Sequence, residues 1–225
     1  MRLSVLFALV LLTSLAGVAN AEVLKGDGIA FDLRLPDGFC ALSREHEQEK
    51  KHYALQDQMQ RDHNGVLMMA LPCQDVNLAR TGKPWKEWMI WLLNGKPGSH
   101  TVVPDGLSRA AVVQELAKAL PELRLDQVNS EVNKKTSERG LTLQMRNMSV
   151  LEKDVDALYS GQIVSVAAGD GGTRELAVVT GWLALKSRIV TLNAYAHYKD
   201  AETVKMLLSR TKDALMKSLA ATEPQ

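Results

Sequence analysis

Five histidines, His46, His52, His63, His100 and His197, are the side chains best suited to acid–base work or metal ligation. His46 and His52 are six residues apart, which puts them on different sides of a helix, unlike the i, i+4 pair of a zinc helix. Glu45-His46-Glu47 is not the H-E-x-x-H pattern. The histidines are therefore expected to be solvated or hydrogen-bonded, with no metal site and no cofactor. No G-x-S-x-G elbow presents a serine nucleophile; Ser160 and Ser187 stand in strand or turn contexts. Gly169-Asp170-Gly171-Gly172 lacks a following Lys-Ser or Lys-Thr and opens no helix, so it reads as a hairpin loop rather than a phosphate cradle.

Two groups of residues keep a functional reading. Trp85, Trp88 and Trp91 crowd into one short stretch of a chain with only 4 tryptophans. Tryptophan is favoured where an apolar body meets a polar edge, so these rings pack a core, line a ligand groove or partner surface, or touch a membrane interface. If Trp85 and Trp91 share an outward face, that side of the segment is the site. Tyr195 and His197 alternate with other residues on the polar side of one strand, in a row with Asn193 at steps of about 7 Å. Such a row makes either a small polar pocket or the second face of a sheet under a helix. A hydrolase-like enzyme would use that pocket. The two cysteines, Cys40 and Cys73, read first as a disulfide.

The cysteine reading depends on compartment. Arg2 is followed by an apolar run from Leu3 to Val18, and Ala19-Asn20-Ala21 has the small residues a signal peptidase reads. Residues 1–21 are expected to be a signal peptide cleaved after Ala21, with the mature chain periplasmic or secreted, where disulfides persist. The 27 Lys+Arg nearly balance the 26 Asp+Glu, and removal of Arg2 with the leader makes the balance even. An electrically neutral chain argues against nucleic acid as a partner. No second apolar stretch approaches a membrane-spanning length, so no stable span is expected after cleavage.

The elements that must position these residues follow from hydrophobic periodicity. Ile29, Phe31, Leu33 and Leu35 alternate with polar residues as a first strand, and Pro36-Asp37-Gly38 turns the chain. Residues 44–62 lack Gly and Pro and carry a narrow stripe of Tyr53, Leu55 and Met59, which predicts a surface helix stopped at Asn64-Gly65. Residues 66–71 read as a central strand, and residues 74–80 as a short helix. Residues 85–93 fit a helix face and a strand side; length and aromatic content favour a strand preceded by a helical turn. Ser108 caps a helix with Val112, Val113 and Leu116 along one side, and Pro121 closes it. Residues 122–139 are polar and weakly patterned, which predicts a linker with at most a helical turn near Leu125 and Val128.

The last third is the most regular part. Leu141, Leu143 and Met145 alternate with polar residues, then slip by one over residues 147–150, as at a bulge. Residues 162–168, 175–185 and 190–197 follow as strands, broken by the glycine loop and by Lys186-Ser187. Asp200 caps a final helix with Val204, Leu207, Leu208, Thr211, Leu215 and Leu219 on one stripe. Residues 22–222 are expected to form one α+β domain, an antiparallel β-sheet with helices packed on it, and residues 223–225 a disordered tail.

This order of elements, with the "FDLRLPDGF" start and the "IVTLNAYAHYKDAETVKMLLSRTKDAL" finish, resembles the PsbP-like αβα sandwich across residues 28–219. The resemblance implies a non-catalytic scaffold or accessory role and carries over no site residue. The expected function is an exported, periplasmic accessory or binding protein acting by contact with another envelope protein or a small ligand. The alternative is the hydrolase-like enzyme with its pocket near His197 and Tyr195.

Overall fold

The computed structural model describes residues 21–26, 28–120, 125–137, 140–168 and 172–222. The expected signal peptide, apart from Ala21, the tips of the glycine loop and the expected tail at 223–225 lie outside the described residues. In chain order the elements are β1 (Ala21–Gly26), β2 (Ile29–Arg34), β3 (Phe39–Ala41), α1 (Glu47–Gln60) and β4 (Asn64–Pro72). A 3-10 turn, Cys73–Asp75, leads into α2 (Val76–Arg80), followed by β5 (Glu87–Lys96), β6 (Ser99–His100), α3 (Arg109–Ala119) and α4 (Leu125–Thr136). The chain then runs through β7 (Leu141–Lys153), β8 (Ala157–Ala168), β9 (Thr173–Leu185), β10 (Arg188–His197) and α5 (Ala201–Thr222).

The main sheet has the order β3-β4-β5-β10-β9-β8-β7, with β6 paired to β5, and every pairing is antiparallel. Strands β7 to β10 form the meander that the alternation predicts. The two halves of the chain join where β5 pairs β10. The register of β7 against β8 shifts between Arg146 and Ser149 and again between Val150 and Glu152, where the apolar alternation slips. Lys186 and Ser187 connect β9 to β10 with φ of 46° and 58°. Positive φ at both positions is the type I′ loop, whose twist matches that of the strands, and here non-glycine residues supply it.

Helices and a hairpin cover the sheet on both faces. On one face α5 and β2 press Phe31, Leu33, Leu207 and Leu215 onto Met89, Trp91, Val179 and Leu192. A Cβ at Gly181 would collide with Leu215 and Thr211, so the bare backbone of β9 lets α5 approach closely. The first strand expected from the sequence is the second limb of a β1–β2 hairpin. It is tied to α5 by Arg34 N donating to Ser218 Oγ (2.7 Å) and Asp32 N to Thr222 Oγ1 (3.1 Å). On the opposite face Tyr53 of α1 covers Val66, Met69, Leu71, Ile90 and Leu92. The α3 helix, capped by Ser108 Oγ accepting from Ala111 N, packs Val112 against Val103 and Ala184.

Three sequence expectations are corrected. Residues 125–136, read as part of a linker, form α4, which lies along β7. Its polar residues do structural work: Met145 N donates to Asn129 Oδ1 (2.8 Å) and Asn129 Nδ2 to Met145 O (3.3 Å). Residues 81–86 contain no helical turn; β5 begins directly after them. Asn64 and Gly65 do not end the helix but open β4, α1 having stopped at Gln60.

Cys40 and Cys73 form a disulfide with Cα atoms 4.8 Å apart, joining β3 to the turn after β4. Nearby, the fully buried carboxylate of Glu49 accepts from Arg80 Nε and from Ser43 N. A buried charge is tolerated only when so paired, and the arrangement binds α1 to α2 and to the strand before it. No helix among the described residues is long and apolar enough to cross a membrane.

Candidate functional site

The pairing of β5 with β10 puts Trp88 opposite Tyr195. Their rings stack with centroids 4.8 Å apart and planes within 6° of parallel. They form part of the floor of a cleft of about 380 Å³, a volume within the range of small-molecule sites. The rest of the floor comes from Leu143 and Met145 of β7, Gln162 and Val164 of β8, and Leu176 and Val178 of β9. One wall is α1, through Gln56, Met59 and Gln60, with His63 of the turn after it; the other is α4, through Val128 and Val132.

The floor is graded along the strands because side chains of one face recur every second residue. In the register of β8, β9 and β10, one rung holds Val166 and Arg174, the next Val164, Leu176 and His197, and the next Gln162, Val178 and Tyr195. Beyond them lies a rung of Ser160, Thr180 and Asn193, where Thr180 Oγ1 donates to Asn193 Oδ1 at 2.8 Å. This face of the sheet thus runs from a cationic end, over the apolar middle that floors the cleft, to a polar end. Within the apolar part, Gln162 Oε1 is buried without a hydrogen-bond partner. Such an acceptor costs free energy until a donor reaches it.

Electrostatics follow the same gradient. Burial raises the Tyr195 hydroxyl to about 12, against a partial offset from the Asn193 hydrogen bond, so it stays protonated at neutral pH. His197 is held below its ordinary range, first by burial and then by the cations Arg174 and Lys86. Its imidazole is neutral at pH 7, and the named charges acting on it are both positive. Glu87, Asp200 and Glu202 line a further hollow with His197.

The remaining predicted site residues divide. Trp85 is half-buried in the loop before β5, edge-on to His52 with ring centroids 4.5 Å apart. Trp85, Trp88 and His197 together line a second hollow beside the first. Trp91 does not join them. Three residues along a strand from Trp88 it points to the other face, where it is fully buried under α5. The idea of a shared face for Trp85 and Trp91 is therefore replaced by one for Trp88 and Tyr195. Sequence reasoning missed Val128, Val132, Gln162 and Arg174. Spacing could have found the first two, since they are four apart on α4.

Among the described residues no group of three or more His, Cys, Asp or Glu side chains could hold a metal ion. The architecture defines the class: an open antiparallel sheet with helices on it, of α+β type. No protein-family model matches the sequence, and no curated protein matches it. Solved structures similar to this chain include the following two. The solution structure of cyanobacterial PsbP (CyanoP) from Synechocystis sp. PCC 6803 is 14% identical, with 90% of this chain and 96% of that chain covered and a TM-score of 0.42. The crystal structure of the Saccharomyces cerevisiae Ran-binding protein Mog1p is 12% identical, covering 87% and 94%, with a TM-score of 0.36. The first likeness is to a structure of PsbP, the family that the element order of the sequence resembles. It is a likeness of arrangement, and no site residue follows from it.

Proposed function

We propose that this chain is an exported, non-catalytic binding protein that receives a small, mainly apolar ligand in the cleft above Trp88 and Tyr195. The observation that carries this reading is the stacked aromatic pair at the floor of a concave, largely apolar cavity between α1 and α4. A flat aromatic platform gives a ligand a large contact area at little conformational cost. A cavity of this size suits a small molecule better than the face of a folded partner, whose interface spreads over a broader surface.

Export of residues 22–222 as one domain, to the periplasm, belongs to the same proposal. The Cys40–Cys73 disulfide supports it, because such bonds persist outside the cytosol. The signal-like composition of residues 1–21 points the same way.

The test is a titration with the neutral fluorescent probe N-phenyl-1-naphthylamine, read by quenching of tryptophan emission. Saturable binding is expected, and Trp88→Ala should weaken it at least tenfold while the fold, followed by circular dichroism, persists. Absence of saturable binding to the wild-type chain would overturn the reading. Export is tested separately: periplasmic material should begin at Glu22.

A further inference from the structure

The cleft does not end at Trp88. Gln56, Trp88 and Leu176 line both it and the adjoining hollow of about 460 Å³, so the two meet at the indole. The hollow has a different character. Lys83 and Arg174 line it with His52 and His197, and no aspartate or glutamate does. Both cations are exposed, and neither makes a salt bridge to a described carboxylate. Other arginines do find carboxylates: Arg80 pairs with Glu49, Arg109 with Asp156 and Arg210 with Glu87. His197 is held below its ordinary range first by burial and then by Arg174 and Lys86.

Arg174 and Val178 stand on the same face of β9, four residues and so roughly 14 Å apart. An elongated molecule could reach both. The intervening rung, Val164 and Leu176, is apolar apart from the neutral edge of His197.

Resting on the reading of the cleft as a ligand site, we infer that the ligand is a single-chain amphiphile with a carboxylate at one end. Its hydrocarbon chain lies on the Trp88–Tyr195 stack between α1 and α4. Its carboxylate accepts from Arg174 and Lys83. Charge complementarity selects the anion, since a cationic head would be repelled by both side chains. Concavity selects the free amphiphile over a bilayer, because the chain must leave its neighbours to lie along the floor.

The experiment displaces N-phenyl-1-naphthylamine from the full-length chain with dodecanoate, dodecanol and dodecyltrimethylammonium. Dodecanoate is expected to bind at least tenfold more tightly than dodecanol, and dodecyltrimethylammonium least tightly. The double variant Lys83→Gln, Arg174→Gln should erase the advantage of dodecanoate over dodecanol while the neutral probe still binds. Equal displacement by dodecanoate and dodecanol, with the probe still bound, would overturn the carboxylate and leave the cleft standing. Failure of the probe and all three amphiphiles to bind would overturn both. Binding to vesicles of anionic phospholipid without binding to free dodecanoate would also overturn the inference.

Discussion

Asn133 completes the hydrogen bonding of Leu143: Leu143 N donates to Asn133 Oδ1 at 2.7 Å, and Asn133 Nδ2 donates to Leu143 O at 3.0 Å. Asn129 does the same for Met145, two residues along the strand. The match is geometric. Four residues of helix advance about 6 Å, and two residues of strand advance about 6.7 Å. Side chains four apart on a helix can therefore serve alternate residues of a strand. Ser218 and Thr222, also four apart, use the same spacing on Arg34 and Asp32.

Replacing both Asn129 and Asn133 with alanine should loosen α4 from β7. Each lost hydrogen bond is worth about 1 kcal/mol. Hydrogen exchange at the amides of Leu143 and Met145 should accelerate, and binding in the cleft should weaken because Val128 and Val132 lose their seat. Unchanged exchange at those two amides would show that water replaces the asparagines at no loss.

Alkali should act through Tyr195. Its hydroxyl titrates near 12 in the folded chain against 10.0 ordinarily. The folded state therefore holds the proton more tightly, so the contribution to stability is full below pH 10 and is lost as pH rises through the folded value. Absorbance titration of tyrosinate should show a late transition that Tyr195→Phe removes. Tyr159 is also raised, further still, and should persist in that variant.

The double variant Cys40→Ser, Cys73→Ser opens a loop with a sequence separation of 33. The chain-entropy account gives a loss of roughly 3–4 kcal/mol. Denaturant unfolding of oxidised, reduced and variant protein should give one stable and two equally weakened forms. Equal midpoints for all three would remove the clasp from any account of stability.

Gly181→Ala should push α5 away from β9. Overpacking of this kind costs roughly 1–3 kcal/mol. Adding Leu215→Ala should recover part of that loss, since Leu215 is one of the side chains the new methyl meets. A double variant less stable than the additive expectation would place the clash elsewhere.

The elements that were legible in the sequence are those whose burial is written in apolar spacing. Leu141, Leu143 and Met145 alternate as β7, and Leu207, Leu215 and Leu219 mark the α5 stripe. Asp200 caps that helix as its type suggests, accepting from Thr203 N. The α4 helix escaped notice because its attachment is polar: asparagines at a helix surface look like solvent contacts until the strand they serve is known. Trp91 was misplaced for a related reason. Three tryptophans in one segment look like one feature, but β5 is buried on both faces and the pleat divides them. The cleft itself was half visible. Tyr195 and His197 were singled out on β10, while Arg174 on β9 became relevant only through a register that one sequence does not state.

Trp88 and Tyr195 meet because β5 and β10 are aligned as they are. Sliding one strand by a single residue would turn its aromatic ring through the sheet and bring a neighbour out in its place. Trp91 would then surface and Trp88 would sink. The aromatic platform and the hydrophobic centre are thus two sides of one alignment, and folding in this register assembles both at once.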